Sequence, residues 1–181
     1  LRTADPVTLA GVLGNRAAHF QALARGEDER PVEPSRPDKS ISQESTFETN
    51  LLDLRELRAE LLRQSEAVMR RLRAQHLAAR TVHLKIRDDR FRTVTRSLTL
   101  RAPTASTRSL FQVADSLLAR WYMSHANVPV RLLGVGVSNF NEALEPPAGR
   151  RGLDAILDQV QNRFGDHSVM RGLSLERRPK E

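Results

Sequence analysis

Residues 81–100 read TVHLKIRDDRFRTVTRSLTL, and this stretch decides the fold. Val82, Leu84 and Ile86 alternate with Thr81, His83, Lys85 and Arg87, the period-two pattern of a strand with one face buried and one basic face outside. Asp88-Asp89 reads as a tight turn. Residues 91–100 are again rich in β-branched side chains. Their alternation is imperfect, because Arg92, Val94, Arg96 and Leu98 share one parity; a bulge or a doubly exposed edge strand would each explain it. The stretch is therefore a β-hairpin, and Pro103 is expected to end it.

Working outward, residues 40–47 are Ser/Thr-rich and read as a strand. Asp53 is a candidate N-cap, and Leu54, Leu57, Leu61, Ser65, Val68 and Leu72 then repeat at three and four, predicting a long amphipathic helix. After the hairpin, Leu110, Val113, Leu117 and Trp121 mark a second helix starting near Ser106 or Thr107. Val130 to Phe140 is an apolar strand holding Gly134 and Gly136. The order is β-α-β-β-α-β, an α+β domain. Two helices with one apolar stripe each can cover one face of a four-stranded sheet, so the other face meets solvent or a partner. Upstream, residues 7–25 predict two short helices with Gly14-Asn15 between them and Gly26 as a stop. Residues 31–38 carry Pro31, Pro34 and Pro37 and read as an extended linker. Downstream, residues 141–151 form a loop, Leu153, Ile156, Leu157, Val160 and Phe164 make a short helix, and the tail from Arg171 frays.

Charge points the same way. The net charge of the 181 residues is +7. Residues 1–79 and 141–181 each balance. Residues 80–101 set Arg80, Lys85, Arg87, Arg90, Arg92, Arg96 and Arg101 against Asp88 and Asp89 alone. Nearly all the basic residues are arginine, whose planar fork grips phosphate oxygens in pairs. A positive field of this kind suits a polyanion. The competing reading is an ordinary solvated basic surface.

Several chemistries have no candidate. Cysteine is absent, so disulfides and thiolate chemistry are excluded. His19, His76, His83, His125 and His167 have no metal-ligand neighbour at helical spacing. Gly134-Val135-Gly136 is half of a dinucleotide fingerprint, with no following helix. No nucleophile elbow or phosphate loop occurs, and no run of about 18 apolar residues could span a membrane. Phe91, Phe111, Trp121, Tyr122 and Phe140 mostly fit core positions, which favours backbone contacts to a duplex over a base-stacking sheet.

Four strings carry a resemblance. Lys39-Ser40-Ile41-Ser42-Gln43-Glu44 with Thr46-Phe47 resembles the opening of the little-finger domain of Y-family (translesion) DNA polymerases. Thr81–Arg87 followed by Phe91–Ser97 is similar to that domain's basic hairpin, and Arg131–Ser138 to its last strand. Leu23-Ala24-Arg25-Gly26 with Asp28 resembles the end of the family's thumb. The strings occur in the family's order and fit its bacterial DNA polymerase IV type.

The resemblance implies residues 1–30 as the end of the thumb, 31–38 as linker, 39–140 as the little finger and 141–181 as loop, helix and tail. It implies a parent DNA-directed DNA polymerase of the bacterial cytoplasm, associated with the nucleoid, whose palm, fingers and magnesium site would lie before Leu1. This piece would then hold no cofactor and be inactive alone. Its expected partner is primer–template duplex, held independently of sequence. Thr95, Arg96 and Ser97 match the family's phosphate-contacting strand segment, and Lys39 and Ser40 the start of the first strand. The charge pattern adds Lys85, Arg87 and Arg92. The alternative is a protein-docking domain for the sliding clamp or a repair partner, for which Leu173 and Leu175 form a degenerate version of the family's clamp peptide.

Overall fold

The structure is a computed structural model, and it describes residues 1–32, 38–142, 152–165, 168–169 and 171–172. Its backbone divides into two compact units, Leu1–Pro37 and Asp38–Glu181.

In the first unit, α1 (Pro6–Leu13) and α2 (Ala17–Arg25) flank a single 3-10 turn over Gly14–Arg16. Asp5 caps α1 by accepting from the Thr8 amide at 2.9 Å. Gly26, at φ +84°, supplies the left-handed residue that closes α2. Gln21 Nε2 donates to the Ala4 carbonyl at 2.8 Å and ties α2 to the start of the unit.

The second unit runs β1 (Ser40–Leu51), α3 (Leu54–Ala74), β2 (Leu77–Asp88), β3 (Thr93–Thr104), α4 (Thr107–His125), β4 (Val130–Glu142) and α5 (Leu153–Phe164). The expected β-α-β-β-α-β core is present. The strands lie in the order β1-β4-β2-β3 and every neighbouring pair is antiparallel. Each helical crossover therefore joins two strands of like direction with a third between them. The helices begin where the capping residues predict. Asp53 accepts from the Arg55 amide at 2.7 Å, and Ser106 from the Ser109 amide at 3.4 Å.

The apolar stripes meet on one side of the sheet. Leu57, Leu61, Val68 and Leu72 of α3 and Leu110, Ala114 and Leu118 of α4 are buried against Ile41, Val82, Leu84, Ile86, Leu133, Val135 and Val137. Ser65 sits within the α3 stripe because its hydroxyl donates back to the Leu61 carbonyl at 2.6 Å. Gln64, also buried, bridges layers by donating to Glu60 and to the Leu133 carbonyl at 2.7 and 3.0 Å.

Two sequence expectations change. Pro103 lies inside β3 instead of ending it. β3 is an edge strand, and Ala79 opposes Thr104 while Thr81 opposes Thr99, so a bulge spares Pro103 any ladder bond. Phe91 is not core: it is 65% exposed at the hairpin tip with φ +62°. The expected short helix α5 is present, with Leu157 and Val160 half-buried and no residue fully buried. Ion pairs also hold this helix. Arg73 on α3 donates to both carboxylate oxygens of Asp158 at 2.6 and 2.7 Å, and Asp154 accepts from the Thr107 amide at 3.0 Å.

Candidate nucleic-acid interface

The face of the sheet opposite the helices is a grid set by strand register. One row across it is Ser40–Ser138–Thr81–Thr99, the next Ser42–Gly136–His83–Ser97. Then come Glu44–Gly134–Lys85–Thr95 and Thr46–Leu132–Arg87–Thr93. Period two in each strand makes these residues share one face, because their neighbours Ile41, Val82, Leu84, Ile86, Val135 and Val137 point into the core.

Most of the rows are tied across strands. Thr81 and Thr99 hydroxyls are 3.0 Å apart, His83 Nε2 lies 2.8 Å from Ser138 Oγ, and Arg87 Nε donates to Thr93 Oγ1 at 2.8 Å. Lys85 Nζ reaches across β4 to Glu44 Oε2 at 2.8 Å. The residue beneath that bridge is Gly134, where an added Cβ would stand 2.8 Å from the Glu44 Cβ; at Gly136 it would stand 2.9 Å from the Ser42 Cβ. The two glycines are thus needed for close approach of β1 to β4, and the dinucleotide reading falls away.

The structure brings Ser40, Lys85, Arg87, Thr95 and Ser97 onto this one face. Lys39 is exposed just before β1. Arg96 stands on the opposite parity, opposite Leu84 across the β2–β3 ladder, and is exposed because β3 has no strand beyond it. This settles the imperfect alternation of residues 91–100 as a doubly exposed edge. Arg92 lies before β3, and its Nε donates to Asp88 Oδ2 at 2.7 Å, so part of its charge is compensated. Of the basic stretch, then, the paired rows of the open face receive Lys85 and Arg87. Leu173 and Leu175 lie outside the described residues.

The two edges of the sheet differ in sign. Residues 93–104 of β3 contain Arg96 and Arg101, four threonines and one serine, and no carboxylate. Residues 40–51 of β1 contain Glu44 and Glu48 and no cation. The guanidinium of Arg80 donates to the Leu100 and Arg101 carbonyls at 3.3 Å, adding charge along the bulged end of β3. An edge strand also offers unpaired backbone N–H groups. A rail of phosphates along this edge could be touched by Thr95 and Ser97 from one side and by Arg96 from the other.

Sequence reasoning set His83 on this face beside Lys85 and Arg87, but missed Ser42, Glu44, Thr46, Thr93, Thr99 and Ser138 as its neighbours. Parity within each strand would have found them, but only once strand order was known. Among the described residues no three His, Asp or Glu side chains gather to hold a metal ion. Asp88 is buried, which pushes its carboxyl up. The Arg92 amide and guanidinium and the Arg90 amide outweigh that and hold it below the usual carboxylate value of 3.8. No helix among the described residues is long and apolar enough to cross a membrane.

Comparison with known proteins identifies the family and the fold. Residues 38–155 match the C-terminal domain of the impB/mucB/samB family. The DNA polymerase IV of Dehalococcoides mccartyi strain BAV1 is 39% identical over 170 residues, 91% of this chain and 43% of that protein. The DNA polymerase IV of Caulobacter vibrioides is 34% identical over 186 residues, 98% of this chain and 45% of that protein. The chain thus spans less than half the length of these relatives. Among solved structures, a Y-family DNA polymerase chimera of Dbh and Dpo4 shares the fold at a TM-score of 0.58 and 17% identity, covering 76% of this chain and 39% of its own. An insertion ternary complex of Dbh DNA polymerase does so at 0.51 and 16%, with the same coverage.

Proposed function

This chain belongs to the impB/mucB/samB family, as the C-terminal part of a Y-family DNA polymerase of the DNA polymerase IV type, and on that premise we propose that its sheet holds primer–template duplex by the phosphates, without regard to sequence. The observation that carries this reading is the free edge of β3: arginines, hydroxyls and unpaired amides, with no carboxylate over residues 93–104. Such a strip is attractive to a phosphate rail and offers no base-reading element. Phosphate contacts position a duplex and carry no sequence information.

The interface is used from both sides. Thr95 and Ser97, with the strand's outward amides, take phosphate oxygens directly. Arg96 adds a cation from the helix side of the edge, and Arg87 one from the open face. Ser40 begins the far strand with Lys39 just before it, and Lys85 in between is partly neutralised by Glu44. Residues 1–30 read as the end of a thumb and 31–38 as a linker. In the whole protein this grip would serve lesion-bypass DNA synthesis in the bacterial cytoplasm. The catalytic carboxylates and their magnesium would come from the part of the relatives that this chain does not cover.

The test is a salt titration of duplex binding. About four neutralised phosphates give a slope of log affinity against log salt near −3.6. Arg96→Ala should reduce the steepness by about 0.9 and weaken unrelated sequences to the same degree. Affinity independent of salt, or an Arg96→Ala effect confined to one sequence, would refute the reading.

A further inference from the structure

At the turn of the β2–β3 hairpin, Asp88-Asp89-Arg90-Phe91-Arg92, the structure holds one aromatic ring out to solvent by three separate devices. The first is a lock. Asp88 Oδ1 accepts from the Arg90 and Arg92 amides at 3.0 and 2.8 Å, and the Phe91 amide donates to the Asp88 carbonyl at 3.1 Å. The second is an anchor, the Asp89 amide on the Pro129 carbonyl at 3.1 Å. The third is a bulge in β4. Arg87 opposes Leu132 while Asp88 opposes Val130, so Arg131 is the extra residue. Bulges re-aim side chains, and here the Arg131 guanidinium lies 4.8 Å from the centroid of the Phe91 ring.

The cost of this arrangement is visible. A phenylalanine at φ +62° is strained backbone, and such strain persists where the surroundings over-determine it. A large ring left 65% exposed gains little from burial. Phe91 is the only apolar side chain in the turn, and Arg90, Arg92 and Arg131 surround it in sequence or in space. An isolated ring backed by guanidinium suits a flat, electron-rich partner on a polyanion better than an apolar protein surface.

We propose that Phe91, backed by Arg131, is a stacking platform for an unpaired nucleobase on the DNA strand that runs past the Thr93 end of β3. The inference rests on the duplex reading above and extends it. The tip continues the line of the β3 edge beyond its first residue. Bases inside a duplex already stack on each other, so a surface ring can take only one that is unpaired. The ligand is therefore single-stranded DNA continuous with the gripped duplex.

The test compares a blunt duplex with the same duplex carrying a 5′ overhang that holds 2-aminopurine, each titrated with the full 181-residue chain. Binding of the overhang should quench the probe, and Phe91→Ala should abolish the quenching and weaken overhang binding about tenfold. Blunt-duplex affinity and the salt slope should stay as in the wild type. Phe91→Leu should fail like Phe91→Ala, and Phe91→Trp should restore quenching. Unchanged overhang affinity in Phe91→Ala, or full activity in Phe91→Leu, overturns the platform while leaving the duplex reading intact. Failure of the wild type to bind even the blunt duplex overturns the duplex reading, and the platform with it.

Discussion

Lys85 and Glu44 are joined at 2.8 Å across an intervening strand, over a glycine that leaves the space between them open. The pair spans β2 to β1, and both side chains are partly exposed. It contributes little to stability, at most about 1 kcal/mol. Its larger effect is on the field of the open face, where it offsets one of the two cations in the paired rows. Glu44→Gln is therefore expected to raise duplex affinity a few-fold at low salt and to steepen the salt slope by up to about 0.9, as Lys85 becomes available. Lys85→Ala in the Glu44→Gln background should remove the gain. A Glu44→Gln variant with the wild-type slope would show that Lys85 is not used.

Gly134→Ala probes the same point from beneath. The new methyl would stand 2.8 Å from the Glu44 Cβ and 3.4 Å from the Gln43 carbonyl oxygen. Neither atom is the end of a flexible side chain, so β1 must move away from β4. A cost of about 1–3 kcal/mol is expected, read as a lower urea midpoint with an unchanged m-value. Gly11→Ala, where nothing lies within 4 Å, serves as the control. Equal stability of Gly134→Ala and wild type would mean that the sheet is looser than its register implies.

The contrast between these strands explains what was legible beforehand. β2 declared its faces because it is central: Val82, Leu84 and Ile86 had to be apolar and their neighbours did not. β3 did not, because an edge strand has solvent on both sides of its outer rim, and Arg96 satisfies physics on the helix-side parity as well as on the other. Gly134 and Gly136 were visible as glycines, but their purpose depends on Glu44 and Ser42, about ninety residues away. The α3 and α4 stripes and the caps Asp53 and Ser106 were readable because they are local. The apolar spacing of α5 correctly marked a helix. It could not show the contacts that Asp154 and Asp158 make, because their partners Thr107 and Arg73 lie far away in sequence.

Asp88 should govern the hairpin tip. Its carboxylate is buried and accepts two backbone amides and the Arg92 guanidinium. Asp88→Ala leaves those donors without their acceptor and is expected to cost about 1–3 kcal/mol. The pH dependence has a defined sign. The folded carboxyl titrates below 3.8, so the stability it provides is present above that value and is lost as pH falls through the lower, folded one. The protection factors of the Arg90 and Arg92 amides, referred to the slower intrinsic exchange in acid, should therefore fall as the pH drops in the wild type and already be low at neutral pH in Asp88→Ala. Protection of these amides that survives the substitution would contradict the assignment.

Arg73 gives the clearest separation between the domain and the helix attached to it. Its side chain is 18% exposed, grips Asp158 with two nitrogens, and also donates to the Ala105 carbonyl and Thr107 hydroxyl at 3.0 and 3.1 Å. No residue of α5 is fully buried, so the helix has little hydrophobic contribution to fall back on when this pair is broken. Arg73→Ala is expected to weaken the attachment of α5 by about 2–4 kcal/mol, because Asp158 loses its partner in a partly dry setting. Hydrogen exchange should then be many-fold faster over residues 153–164, while the amides of Leu84 and Val135 in the sheet stay protected. Arg73→Lys keeps the charge but not the two-pronged grip and should fall between. High salt should shift the wild type in the direction of Arg73→Ala, since ion pairs with some exposure are screened and an apolar contact is not. Protection of α5 that is insensitive to both the substitution and salt would mean that its partly exposed leucines and valine carry the attachment after all.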